Sequence, residues 1–240
     1  MIQLILVLSF VIIIWSIIYP LTDFSVRFLA RRVVREGNTD GRKICLSFDD
    51  GPDPVYTPSL LSILKEASVP ATFFLVGAKA ELAPGLVKRI MAEGHEIGAH
   101  TYYHKHAYLM FLKKSLETVG KGKKALDKIT GQNLVWFRPP WGALNLFEYL
   151  YLKHLKMEIV LWSANAHDWE ITTGALGVLN NLKDKVKPNT IIVLHDSGGD
   201  PGAPANMLQA LPELILSLKT AGFQFVTLSR IMEGIARDRD

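Results

Sequence analysis

From Lys43 onward, short runs of apolar and β-branched residues alternate with longer stretches in which apolar positions recur every three or four residues. The first kind reads as buried strand and the second as amphipathic helix packed on it. The pattern predicts strands at Lys43–Phe48, Ala71–Val76, His95–Ala99, Leu134–Phe137, Met157–Trp162, Thr190–Leu194 and Phe223–Thr227. It predicts helices at Thr57–Ala67, Gly85–Ala92, Leu109–Ile129, Leu146–Leu155, Ala175–Val186 and Met207–Thr220. Pro58, Pro84 and Pro212 fall near predicted helix starts, where a missing N–H costs little, and Gly94, Gly131 and Gly222 stand where C-terminal caps belong. Strands alternating with crossover helices imply a parallel sheet, closed as a barrel or doubly wound. The helix at Leu109–Ile129 carries Lys113, Lys114, Lys121, Lys123, Lys124 and Lys128, which read as a solvated face.

The N-terminal pattern is different. Leu4 to Leu21 is almost wholly apolar, with Ser9 and Ser16 as breaks, and the first charged side chain is Asp23. As a helix this stretch spans about 27 Å, close to the bilayer core of about 30 Å. Residues 1–22 are therefore expected to be a transmembrane anchor or uncleaved signal, giving a single-pass protein of the cell membrane. Residues 23–41 read as a basic juxtamembrane linker. Within it, Phe24–Val34 is expected to form a short amphipathic helix, and Gly37–Gly41 is linker-like in composition. Residues 42–235 form the remaining domain. Arg27, Arg31, Arg32 and Arg35 follow the apolar segment and none precedes it, which argues for a domain retained inside. The outward, extracytoplasmic side is nevertheless expected, for a reason the chemistry supplies below.

Composition narrows the classes. The chain has 240 residues, 49% hydrophobic and 21% charged, so it can bury a core. Its 27 Lys+Arg and 23 Asp+Glu give a net charge of +4, with no basic stripe of the kind nucleic acid requires. Cys45 stands alone, which excludes an intrachain disulfide and a zinc site built on several thiolates.

The polar residues that look misplaced share one location, each following the end of a predicted strand. They are Asp49 and Asp50, His100 with His104, Arg138, Asp168 with Trp169, and His195 with Asp196. Parallel α/β folds build their sites at that rim. His100 and His104, spaced i, i+4, share a face if their segment is helical. Two imidazoles and one carboxylate leave coordination positions open, as catalytic metal sites do. Zinc fits this donor set, and Co, Ni or Fe would also fit. A neighbouring carboxylate such as Asp49 can take a proton from water, and His195 across the rim can give one to a leaving group.

The segments Leu46-Ser47-Phe48-Asp49-Asp50-Gly51-Pro52, His100-Thr101-Tyr102-Tyr103-His104 and Arg138-Pro139-Pro140-Trp141-Gly142 resemble three motifs of the polysaccharide deacetylases, carbohydrate esterase family 4. Asp168-Trp169 and Ile192-Val193-Leu194-His195-Asp196 resemble two more, in family order, over about Lys43 to Leu228. The resemblance implies an α/β fold, a distorted (β/α)7-8 barrel, here preceded by the transmembrane helix. It implies metal-dependent N-deacetylation, with Asp49 as base and Asp50, His100 and His104 as ligands of one divalent ion. It also implies that Arg138 holds Asp49, that His195 is the acid and that Asp168 orients it. The Trp141 backbone N–H would face the oxyanion, and Trp169 and Leu194 would wall the acetyl methyl. The chain departs from the family at Asn165, where aspartate is frequent, at Ser47 for threonine and at Trp141 for tyrosine. His106 and His167 read as accessory. The expected substrate is an N-acetylated envelope glycan such as peptidoglycan, which lies outside the membrane. The alternatives are a deacetylase or deformylase of a lipid-linked amino sugar, and a catalytically dead glycan-binding domain.

Overall fold

The computed structural model describes residues 33–107, 110 and 112–233. The expected anchor at 1–22 and residues 23–32 of the expected basic segment lie outside the described residues. Among the described residues, no helix is long and apolar enough to cross a membrane.

In chain order the first half comprises β1 (Val33–Val34), β2 (Lys43–Asp49), α1 (Tyr56–Ala67), β3 (Thr72–Leu75), α2 (Gly77–Leu82), α3 (Pro84–Ala92), β4 (Glu96–Ala99) and α4 (Leu112–Thr130). The second half comprises β5 (Trp136–Phe137), α5 (Leu146–His154), β6 (Glu158–Val160), β7 (Ala164–Asn165), α6 (Gly174–Lys183), β8 (Ile191–His195), α7 (Ala203–Thr220), β9 (Gln224–Phe225) and α8 (Leu228–Ile231). The strands pair in parallel in the order β1-β6-β5-β4-β3-β2-β8-β7, with β9 beside β2. β6 and β7 lie on one run of chain, yet β6 pairs with β5 and β7 with β8. That run therefore bends across the gap and curls the sheet back on itself, so the fold is the expected distorted α/β barrel, incompletely closed.

Two apolar layers hold it. Leu46 and Phe48 of β2, with Ile192 and Leu194 of β8, pack against Leu60, Leu61 and Leu64 of α1 and Leu211 and Leu214 of α7. The opposite face of the sheet gathers Cys45, Phe74, Val160 and Ile191 into an inner cluster. Burial pushes the Cys45 thiol up to about 12, which keeps it neutral.

Several local expectations change once the chain is folded. Val33 and Val34 form a strand on β6 rather than the end of a helix. The predicted Gly37–Gly41 linker is docked, for Glu36 bridges Thr190, Gly37 N–H donates to the Asn189 carbonyl and Asn38 N–H to the Ile231 carbonyl. Pro212 sits inside α7, which begins earlier with Pro204 in its first turn. Pro212 lies on the exposed side of that helix. Lys123 is buried rather than solvated: its Nζ donates to Asp127 Oδ2 at 2.6 Å and to Asn133 Oδ1 at 2.7 Å. The other lysines of that series are exposed. Three short elements carried too few residues to show a period, namely α2, β7 and α8.

Phe73 tests the outer layer. It is fully buried, 5.3 Å from the Phe48 ring and edge-on to His95 at 5.4 Å. Phe73→Ala is expected to lower unfolding stability by about 3–5 kcal/mol, read from the denaturant midpoint.

Candidate active site and metal centre

The C-terminal ends of β2, β4, β5 and β8 meet at one rim. β2 runs through Asp49, and Asp50 turns into the left-handed region at φ 72°, so two adjacent carboxylates diverge. Asp49 Oδ1 receives Arg138 Nη1 at 2.6 Å. Arg138 is entirely buried, and three more of its donors are engaged, with Nη1 to Ser47 Oγ at 2.8 Å, Nε to the Val160 carbonyl at 3.2 Å and Nη2 to the Leu161 carbonyl at 3.1 Å. Ser47 Oγ in turn donates to the Ile192 carbonyl at 2.7 Å. Asp49 cannot swing without breaking this set.

Asp50 faces the imidazoles instead. Its Oδ1 lies 2.9 Å from His104 Nε2 and 3.3 Å from His100 Nε2. One ligand atom from each of Asp50, His100 and His104 falls within 4.8 Å of the others. Asp50 Oδ1 is buried and makes no hydrogen bond of ordinary geometry. His100 Nδ1–H donates to the Arg138 carbonyl at 2.6 Å, which fixes the tautomer and leaves the Nε2 lone pair aimed at Asp50. An orphaned carboxylate oxygen and two converging imidazoles fit a divalent cation. Burial pushes the Asp50 carboxyl up, but the two imidazoles outweigh it and hold it well below the usual carboxylate range. Gly198, at φ 74°, lets the chain close on this group, since a Cβ there would stand 2.4 Å from Asp50 Oδ2.

The two histidines are not brought together by a helix. Thr101 and His104 both adopt left-handed conformations, at φ 61° and 48°, and the segment is a tight loop. Trp141, at φ 55° and 57% exposed, lays its ring 4.5 Å from that of His104 and 5.2 Å from that of His106.

Opposite the metal centre, His195 stands beside Asp49 in the β2–β8 register. Asp168 receives the His195 backbone N–H on Oδ2 at 2.7 Å and the Nδ1–H on Oδ1 at 2.9 Å. That pairing leaves Nε2 as the imidazole's remaining working atom. Trp169 packs edge-on to His195 at 5.4 Å, and His167 lies 4.9 Å from Trp169. Asn165 accepts the His167 backbone N–H at 2.8 Å, so it shapes this turn.

One expected residue faces the wrong way. Leu194 is fully buried in the layer between sheet and helices. Side chains alternate along β8, so Val193 shares the face of His195 and Leu194 does not. Lys79 was missed, and Asp196, named at its strand end, was given no role. Lys79 Nζ donates to the Asp50 carbonyl at 2.8 Å and to Ser197 Oγ at 2.7 Å, from a helix too short to predict. Asp196 lies fully buried beneath the rim, with Thr57 Oγ1 donating to its Oδ2 at 2.5 Å. Burial above all pushes its carboxyl up to about 7, with Asp50 adding to the shift.

Comparison with known proteins agrees with this geometry. A family model described as polysaccharide deacetylase matches residues 36–160. A peptidoglycan-N-acetylglucosamine deacetylase of Bacillus cereus is 36% identical over 191 residues, 79% of this chain and 87% of that protein. A chitooligosaccharide deacetylase of Sinorhizobium fredii is 32% identical over 201 residues, 80% of this chain and 93% of that protein. The crystal structure of a peptidoglycan N-acetylglucosamine deacetylase superposes with a TM-score of 0.80 at 32% identity, covering 87% of this chain and 96% of the other.

The Asp168–His195 pair makes a pH-dependent prediction for the metal-free chain. Burial pulls the His195 pKa down, but Asp168, aided by Asp49 and Asp50, overrides it and raises the value from 6.5 to about 9. A pKa raised on folding gives stability that is complete below about 6.5 and is lost as pH rises through about 9. Asp168→Asn is expected to lower the imidazole pKa, read by NMR titration, and to flatten the fall in unfolding midpoint across that window.

Proposed function

The chain belongs to the polysaccharide deacetylase family, hydrolases acting on amide bonds, and on that premise we propose that it removes N-acetyl groups from amino sugars of an envelope glycan such as peptidoglycan. The relatives named as peptidoglycan and chitooligosaccharide deacetylases support that substrate class. One observation carries it: an Asp50–His100–His104 donor set between a buried, arginine-held carboxylate and a carboxylate-held histidine.

Asp50, His100 and His104 would hold one divalent ion, with zinc the best match to the donors. When bound, such an ion supplies Lewis-acid polarisation of the amide carbonyl and makes water more acidic. Asp49 takes the proton of the attacking water, and Arg138 keeps that carboxylate aimed. His195 gives a proton from Nε2 to the departing amine nitrogen. Asp168 holds Nδ1–H and so keeps the imidazole oriented and readily protonated. The Trp141 backbone N–H, set at a left-handed corner, donates to the developing oxyanion. Val193 and Trp169 line the space for the acetyl methyl.

We further propose that residues 1–22 anchor the chain in the membrane, with the domain on the outer side where the glycan lies. Digestion of the domain by protease added to intact spheroplasts is the expected result. Protection until lysis would overturn the outward side.

Activity is tested on peptidoglycan, chitooligosaccharides and lipid-linked amino sugars. Acetate release from the glycans, abolished by exhaustive chelation and restored by zinc, is the expected outcome. Activity confined to lipid-linked sugars would replace the reading. Asp49→Asn is expected to keep the metal and lose about 10²–10⁴-fold in kcat, whereas His104→Ala loses metal as well. Equal metal loss in both would show that the roles of Asp49 and Asp50 are wrongly divided.

A further inference from the structure

We propose that Thr118 and Gly122 of helix α4 are positioning residues that set the spacing of the two metal-binding imidazoles. This rests on Asp50, His100 and His104 being the metal ligands, and it adds to that set two residues from a helix outside the site.

The loop between the imidazoles is held in a conformation it would not choose. Thr101 and His104 both lie in the left-handed region, which side chains with a Cβ rarely enter. Such conformations persist only where the surroundings over-determine them. Here two helices do so. From one side, α2 donates Gly77 N–H to the Thr101 carbonyl at 2.9 Å and Ala78 N–H to the Tyr102 carbonyl at 3.0 Å. Within the loop, the His104 N–H donates to Thr101 Oγ1 at 3.1 Å.

From the other side comes α4. Thr118 Oγ1 accepts the backbone N–H groups of both Tyr102 and Tyr103, each at 3.3 Å. One turn further, Gly122 lies directly against the loop. A Cβ on it would stand 2.5 Å from the Thr101 carbonyl carbon, 2.6 Å from its oxygen and 2.9 Å from Tyr102 N. All three are backbone atoms, so no flexible side-chain end can yield. Residues four apart share one helix face, so Thr118 pulls the loop onto the surface that Gly122 leaves open. The Tyr102 ring adds a third restraint, with its hydroxyl donating to Glu81 Oε2 at 2.6 Å and Lys121 Nζ 3.7 Å from its centroid. Any shift of Thr101 and Tyr102 turns His104 away from Asp50 Oδ1, now 2.9 Å from its Nε2. Metal sites tolerate displacements of only about 0.2 Å in their ligands.

The test measures zinc affinity of the full chain by competition with a chromophoric chelator, with far-UV circular dichroism on the same samples. Thr118→Val and Gly122→Ala are expected to bind zinc about 10-fold more weakly or worse, with the fold retained. Thr118→Ser, which keeps the hydroxyl, is expected to recover the parent affinity. Lys124→Ala, on the exposed side of α4, is expected to bind as the parent does. Parent affinity in Thr118→Val, or equal loss in Thr118→Ser and Thr118→Val, would overturn the proposal. If Gly122→Ala fails to fold, the Thr118 pair decides alone, because valine and threonine have similar volume. A parent chain that binds no zinc would overturn the metal-site reading itself, and this proposal with it.

Discussion

A guanidinium removed entirely from water needs a partner for its N–H groups and a counter-charge, and Arg138 meets both needs by joining four strands. Its side chain reaches Ser47 and Asp49 on β2 and the carbonyls of Val160 and Leu161 at the end of β6. Its own carbonyl receives the imidazole of His100, which follows β4, while Arg138 itself follows β5. The guanidinium also lies 4.0 Å from the centre of the Phe74 ring, so its flat face is covered as well. A buried cation left without its carboxylate is costly, and so is the carboxylate without the cation. The geometry of the rim follows from satisfying both at once. The Asp49 carboxylate, the His100 imidazole and the bend of the β6–β7 run are all tied to this residue.

Against that anchor, two neighbouring aspartates acquire different chemistry. Asp49 ends a strand and points at a permanent cation. Asp50 turns into the left-handed region and points at two imidazoles. A single change of backbone direction thus separates a carboxylate suited to moving a proton from one suited to holding a cation. Across the rim, Asp168 performs for His195 what Arg138 does for Asp49. It fixes the ring through two hydrogen bonds and raises its proton affinity. Asp49 and His195 sit side by side in the β2–β8 register, each with its charged partner behind it.

Much of this was legible in the sequence because it is local. Strand–helix alternation, the glycine caps at Gly94, Gly131 and Gly222, and the polar residues at strand ends depend on residues a few positions apart. The positive φ at all three glycines is what their place after a helix requires. The donor set of Asp50, His100 and His104 was also legible, since ligand chemistry belongs to residue type.

Tertiary structure decided what distant segments impose. The imidazoles meet through a strained loop pressed between α2 and α4, which no periodicity in residues 100–104 encodes. Lys123 is buried because Asp127 and Asn133 converge on it, although its neighbours in sequence are solvated. Leu194 turns to the helices and Val193 to the site because the pairing of β8 with β2 sets the face, and a shift of one residue exchanges the two sides. β6 and β7 divide one run between two partners, which only closure of the sheet can require. Composition and short-range pattern determine which elements form and which groups can react. Burial, facing and separation are properties of pairs far apart in the chain, and they are fixed only when those pairs pack.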